Sequence, residues 1–463
     1  MPWFYGQSHL FLMPLRPPRE LPIDFPPKTN EYYVNLDASL NGNGTLSSPW
    51  NNIEAADGNV GIPAWIYVKG TGPGTIWSQD GSSGSEIVIT AWQDETATFT
   101  DIEGGPSLRI WGDYVILHGK SFVSPQIVIK GAEGQRAVRI GYDHGAGGGH
   151  HATFYRCEIT QGSSAIMNDG EYLRVINCRI HDTTSHAIYF RHGDHCEFRN
   201  NIFQNADGAA IQSNPHENGE YITAGVISGN VVYDCARETA AGLTVLSGTG
   251  TGGIINGLTI SNNLIWNCSS GIKMTGGNNY KGEISNVQIY NNTIYNCSVF
   301  NQHGEPFTPG KPATTILINN IVTGGITNEG TWVAENNNVT DNSDWPSFFI
   351  SVDENNDAFL KLASLSTDAI DKGYDLSSEG IAADYFGNSR PLGGGYDIGA
   401  HEYSPETVNG DVNNDGSVDS EDVDACVSHI LGTENWNEAA DVNGDGSMNV
   451  LDVQAVVNMS LSQ

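Results

Sequence analysis

Gly229-Asn230-Val231-Val232-Tyr233-Asp234-Cys235, Asn262-Asn263-Leu264-Ile265-Trp266-Asn267-Cys268 and Asn291-Asn292-Thr293-Ile294-Tyr295-Asn296-Cys297 are three copies of one short stretch. Alternation sends Val232, Ile265 and Ile294 to one face and Tyr233, Trp266 and Tyr295 to the other. A polar Asn stands at one fixed place before each strand, and a Cys at one fixed place after it. The copies are 33 and 29 residues apart, too far for hairpins. Recurrence with variable loops points to parallel strands stacked one turn upon the next.

The pattern extends outward from these copies. The ladder position is Cys157, Cys178, Asn201, Asn230, Asn263, Asn292 and Asn320, at spacings from 21 to 33 residues. A preceding strand starts at Ala137, Ala165, Ala187, Ala210, Gly242 and Gly271. Three short strands per turn define an all-β chain, a right-handed parallel β-helix. An Asn at a bend can bond its amide to the Asn of the next turn, satisfying buried polar groups. Cys235, Cys268 and Cys297 read as a stack of unpaired small hydrophobes, with a disulfide between turns as the alternative. The aromatic column is expected either to meet sugar faces or to lie beneath an insertion at 298–313.

A second signal stands at the other end. Asp411, Asn413, Asp415, Ser417, Asp419 and Asp422 form one acidic loop, and Asp441, Asn443, Asp445, Ser447, Asn449 and Asp452 repeat it 30 residues on. Oxygen side chains at positions 1, 3, 5, 9 and 12, with Gly at 6, wrap one calcium ion; position 7 adds a carbonyl. Two ions are therefore expected. Each loop leads into one short apolar helix, and none precedes it. Paired loop-helix units of this form resemble a dockerin. That resemblance implies a secreted protein plugged into a cohesin-bearing scaffold. Positions 10 and 11, which help choose the cohesin in that family, differ between copies: Ser420-Glu421 and Val450-Leu451. An anchoring or stabilising role is the alternative.

Composition narrows the partners. The net charge is −33, and residues 409–463 hold eleven acids with no Lys or Arg. Phosphate binding needs a basic footprint, so nucleic acid is excluded. No run of 18 apolar residues exists to span a membrane. Residues 1–30 are Pro-rich and read as a disordered leader, with Trp3–Leu15 too broken for a signal core. The expected division is 31–403 β-helix, 404–408 linker and 409–463 calcium module, in a monomer.

The flanks carry a further resemblance. Tyr32-Tyr33-Val34-Asn35 with Gly44 to Ala56 resembles the opening of secreted β-helix proteins of the pectate-lyase superfamily. Ala369 to Gly373, Gly387 to Pro391 and Asp397 to Glu402 resemble the closing segment of bacterial members. The resemblance implies action on an acidic polysaccharide, foremost β-elimination. Hydrolysis, C5-epimerisation and binding without turnover stay open.

Candidate residues follow from the register. Arg139, Met167, Tyr189, Gln212, Thr244 and Lys273 form one outward row, and Asp169, Arg191, Asn214 and Thr275 a second, with His192 and His144 at its edge. β-Elimination needs a neutralised carboxylate, a base at C5 and an acid at the leaving oxygen. Arg139 or Arg191 suits the first, Lys273 or Arg191 the second, and Tyr189 or a nearby His the third. Arg191, Tyr189 and Arg139 are taken as the chemical centre. Lys273, Asp169, His192, His144, Gln212 and His216 are taken as substrate contacts. A further calcium ion at this centre is an open alternative. Asn214-Pro215-His216-Glu217 resembles a segment of alginate C5-epimerases, with Asn214 where that family has its catalytic Asp. Arg174 and Glu197 read as a structural pair.

Overall fold

In the computed structural model, the described residues are 21–141, 148–217, 219–236, 241–246, 252–276, 282–303, 315–328, 334–404, 410, 412–413, 418–431, 442 and 449–461. They divide into two units, one ending at Glu402 and the other beginning at Tyr403.

The first unit is a coil of parallel strands on three faces. The first face runs from Asn30–Asn35 through Glu197–Arg199 and Ile254–Ser261 to Ala334–Asn336. The second includes Glu158–Gln161, Val231–Tyr233 and Leu264–Trp266. The third runs from Ile76–Trp77 through Ser164–Asn168, Ile188–Phe190, Ile211–Ser213 and Ile272–Gly276 to Ile326–Asn328. Inward residues stack in register: Ile166, Ile188, Ile211, Leu243, Ile272 and Val299 pair in sequence and are fully buried. Each such side chain contributes roughly 1.5–3 kcal/mol by leaving water.

The Asn ladder holds one edge of this core. Asn201, Asn230, Asn263 and Asn292 each donate Nδ2 to the Oδ1 of the next Asn at 2.9–3.1 Å, ending on Asn320. Their backbone N–H groups donate to the same oxygens. The second amide hydrogen bonds a strand carbonyl, as from Asn263 to Ile227. The ladder runs one turn further than the repeat suggested, to Asn338. Cys178 joins it at the other end, donating its N–H to Asn201 Oδ1.

The residue before each ladder position makes the bend. Asn177, Asn200, Asn262, Asn291 and Asn319 all have φ between 51° and 60°. Asn tolerates this left-handed conformation better than other side chains, which explains much of the Asn content. Gly229 fills the same corner at φ 68°, where an added Cβ would stand 2.1 Å from Asn200 Oδ1.

All seven cysteines are buried and none forms a disulfide, Cys235, Cys268 and Cys297 included. Arg174 and Glu197 face one another across adjacent strands, Nε to Oε2 3.4 Å. One expectation is corrected. The leader stops short of residue 30, because Phe25 packs on Trp65, His118 and Tyr155 and apolar surface there needs a cover. The column Tyr233, Trp266 and Tyr295 meets residues of 345–362: Phe359 meets Trp266, Phe349 meets Tyr295, and Trp266 Nε1 donates to Glu354. Of the insertion at 298–313 expected over this column, Val299–His303 is a strand of the third face, and the rest lies outside the described residues.

Among its described residues the second unit has two helices, Ser420–Ile430 and Val450–Ser460, packed around Val412, Val418, Cys426, Val442 and Val456. Each begins with the same capping box, Asp419 with Asp422 and Asn449 with Asp452.

Asn263→Leu strands Asn230 Nδ2 and N–H and the Ile227 carbonyl. Each stranded group costs roughly 1–3 kcal/mol. Chemical denaturation of the variant is expected to show a lower midpoint, and an unchanged midpoint contradicts the ladder's role.

Candidate functional site

The outward row on the third face lies in the register read from the sequence. Arg139, Met167, Tyr189, Gln212, Thr244 and Lys273 are successive partners. Arg109 precedes them and Phe300 follows. Two members are not exposed: Met167 is buried, and Thr244 turns its hydroxyl back to Ala241. Lys273 Nζ lies 5.6 Å from the centre of the Phe300 ring. It is three pairings from Tyr189, or about 15 Å along the stack.

Where the third face turns toward the first, charges gather beneath the surface. Asp169 follows Ser164–Asn168, and Arg191 follows Ile188–Phe190. Arg191 Nε donates to Asp169 Oδ1 at 2.6 Å and stands 3.2 Å from Glu220 Oε1. Arg139 Nη2 donates to Asp169 Oδ2 at 3.2 Å. Asp169, Glu220 and Arg191 are 1%, 3% and 8% exposed. Two guanidinium groups meet two carboxylates, so the four formal charges cancel. Burial opposes the charge of Arg191, but the Asp169 hydrogen bond and the two carboxylates outweigh it and push its pKa up. Arg191 therefore holds its proton, which removes it from the role of base.

Tyr189 stands at the edge of this cluster. Its phenol oxygen accepts from Asn214 Nδ2 at 3.0 Å, and its ring stacks on His186. Burial, reinforced by Glu220 and Asp169, raises its pKa against the opposing Asn214 hydrogen bond and Arg191 charge. The phenol is thus protonated at neutral pH. His186 Nδ1 accepts from Ala209 N–H, and burial lowers its pKa to about 4. His192 Nδ1 accepts from Tyr221 N–H, and burial lowers its pKa too. Both imidazoles are neutral and spend one nitrogen on backbone.

Gln212 lies between Tyr189 and Thr244 in the row. His216 is half-buried, its N–H held by Glu220 Oε2 at 2.6 Å. His144 lies outside the described residues. Glu220 was missed by sequence reasoning. It reaches Arg191 across a variable loop, and no periodic signal marks it.

A further calcium ion at this centre is not supported. Among the described residues no group of His, Cys, Asp or Glu is arranged to hold a metal, because Asp169 and Glu220 face the Arg191 guanidinium. In the second unit Asp411, Asp415, Ser417, Asp441, Asn443, Asp445 and Ser447 lie outside the described residues. Asp422 and Asp452 are fully buried at position 12 of their loops. Asp422 accepts N–H bonds from Val412, Asn413 and Asp419. A carboxylate offers about four lone-pair sites, and these three N–H groups are its donors among the described residues. Buried carboxylates beside further oxygen side chains, Asn413, Asp419 and Asn449, suit a hard cation.

Comparison with known proteins agrees with the architecture. Residues 163–356 match the family described as right handed beta helix region, and residues 409–459 match the dockerin type I domain. The chain joins a right-handed β-helix to a type I dockerin. The β-helix is similar to the solved pectate lyase Pel9A, at 17% identity and TM-score 0.56, covering 82% of this chain and 98% of that one. A rhamnogalacturonan lyase aligns at 13% identity over 73% and 97% of the two chains, TM-score 0.48. PfbA, a surface adhesin of Streptococcus pneumoniae, aligns at 12% over 59% and 81%, TM-score 0.32. At these identities the likeness is one of fold. A search of curated proteins gives no match.

Lowered histidine pKa values make a pH prediction. His186 and His118 sit at about 4 when folded, against about 6.5 unfolded. Above 6.5 both states are neutral and the stability is intact. As pH falls from 6.5 toward 4 the unfolded chain takes protons that the folded one refuses, so stability drops. Imidazole NMR should show His186 neutral down to about pH 4, with the denaturation midpoint falling over that window. A His186 titration near 6.5 contradicts its buried placement.

Proposed function

We propose that the β-helix is an extracellular lyase acting on an acidic polysaccharide, carried by a calcium-dependent dockerin that docks on a cohesin-bearing scaffold. One observation carries the reading: a protonated, partly buried Tyr189 phenol beside a guanidinium that cannot lose its proton, on an outward row bearing Arg139 and Lys273. Pectate lyase Pel9A shares the fold, and its lyase activity is the precedent.

In β-elimination the C5 proton passes to a base, assigned here to the half-buried His216 imidazole, while the C4–O bond breaks and a C4=C5 double bond forms. Tyr189 gives its proton to the departing oxygen. Arg191 stays cationic and favours the phenolate left behind, which lies close by. Arg139, whose side chain is 12% exposed and pairs with Asp169, is assigned to the substrate carboxylate. Lys273, about three strand spacings away, contacts a separate sugar of the same chain. Gln212, His192 and His216 line the path between.

Incubation with pectate, alginate, glycosaminoglycans or ulvan is expected to release a product with the ultraviolet absorbance of an unsaturated uronate. Reducing ends without that absorbance mean hydrolysis instead, and binding without turnover means an adhesin. On the active polymer Tyr189→Phe should lower kcat by about 10²–10⁴-fold. Lys273→Ala should mainly raise KM, as loss of uniform binding does. Near-normal turnover by Tyr189→Phe places the chemistry elsewhere.

In the dockerin, Asn413, Asp419, Asp422, Asn449 and Asp452, with their loop neighbours, would hold two calcium ions, which supply the charge that the acidic loops lack. Chelation with EDTA should melt Ser420–Ile430 and Val450–Ser460 while the β-helix keeps its circular dichroism. Protease resistance of the C-terminal unit in EDTA contradicts calcium-dependent folding.

A further inference from the structure

The Arg191 guanidinium already has Asp169 at 2.6 Å. A second buried carboxylate on the same group is costly unless its oxygens do something more. Glu220 has such a use. Its Oε1 lies 3.2 Å from Arg191 Nε, while Oε2 accepts from His216 N–H at 2.6 Å and Glu217 N–H at 3.0 Å. Its own N–H donates to the Glu217 carbonyl, and its carbonyl accepts from Ile254 on the next turn. Glu220 thus ties this loop to the charge cluster through its carboxylate and to the stack through its backbone carbonyl.

The near end of that loop is Asn214. Its N–H donates to the Phe190 carbonyl at 2.8 Å, and its side-chain amide donates to the Tyr189 phenol. Tyr189 lies in the strand Ile188–Phe190 and Arg191 directly follows that strand. The loop therefore spans from one to the other. Asn214 holds the phenol, Glu220 holds the guanidinium, and Pro215 with the two N–H groups clasped by Glu220 limits how far the ends can drift. Gly253 is packed so closely on Pro215 and Glu220 that an added Cβ would stand 2.4 Å from Pro215 Cβ.

We propose that Glu220 is a positioning residue, setting the Tyr189 phenol against Arg191 by clasping the 214–219 loop. The proposal rests on Tyr189 being the proton donor, but its geometry stands apart from any turnover. Removing the Glu220 charge acts on Tyr189 in a known direction. Glu220 and Asp169 raise the phenol's pKa while Arg191 lowers it. Without Glu220 the cation is matched by Asp169 alone, so the phenol should ionise at lower pH.

The test uses the full chain with ¹³C-labelled tyrosine, the Tyr189 signal being the one lost in Tyr189→Phe. In Glu220→Gln, which keeps the shape, the Tyr189 ionisation should move down by roughly one pH unit. On a polymer that the wild type cleaves, kcat should fall about tenfold or more with KM little changed. Glu220→Asp keeps the charge but shortens the reach, so it should leave the ionisation nearer wild type while lowering kcat. An unmoved Tyr189 ionisation in a folded Glu220→Gln overturns the positioning role. If Glu220→Gln fails to fold, Glu220→Asp decides: an unchanged Tyr189 chemical shift overturns the role, and a displaced one supports it. If no polymer is cleaved but the ionisation moves as expected, positioning stands and only the lyase reading fails.

Discussion

The amide of one asparagine bonding the amide of the next is the contact on which this architecture depends. A parallel coil must turn three corners in every rung, and a corner exposes backbone donors and acceptors to the core. At one corner each Asn uses both amide hydrogens and its carbonyl oxygen, so no polar atom of the ladder is left over from Asn201 to Asn320. The preceding residue adopts the left-handed conformation that makes the corner tight. Interior stacking of Ile, Val and Leu then follows from the register that the ladder holds.

A stable coil frees its turns to carry unlike loops. Between the third and first faces, loops of different length bring Asp169, Arg191 and Glu220 together from separate rungs. Isolated, each charge would be expensive at this burial. Together with Arg139 they cancel, and the arrangement retains a fixed cation beside a neutral phenol. The same physics recurs in the closing segment, where the fully buried Arg390 meets Glu402 and the carbonyls of Asp397 and Gly399. There burial lowers the pKa of Arg390 and raises that of Glu402 to about 7. Similar ingredients thus serve as closure at one place and as candidate chemistry at another.

The dockerin relies on a different economy. Among its described residues the core is five buried side chains with a few half-buried neighbours. Capping boxes at both helix starts orient Asp422 and Asp452 inward. Buried carboxylates in an acidic module are the physical basis for the calcium dependence proposed above.

Much was legible in the sequence because periodicity is a local property repeated many times. The recurring Asn, Cys and Ile positions determined the parallel coil, its inward faces and the outward row from Arg139 to Lys273. The twin acidic loops determined the second unit. The tertiary structure alone decided which partners meet across loops without a period. Glu220 lies 29 residues after Arg191 and touches it only because the coil returns there. The cover over Trp266 comes from Phe359, 93 residues on, which no repeat could announce. It decided charge state as well: Arg191, legible as a candidate base, is surrounded by carboxylates and keeps its proton. Composition and spacing report what each residue can do, but burial and neighbours set what it does.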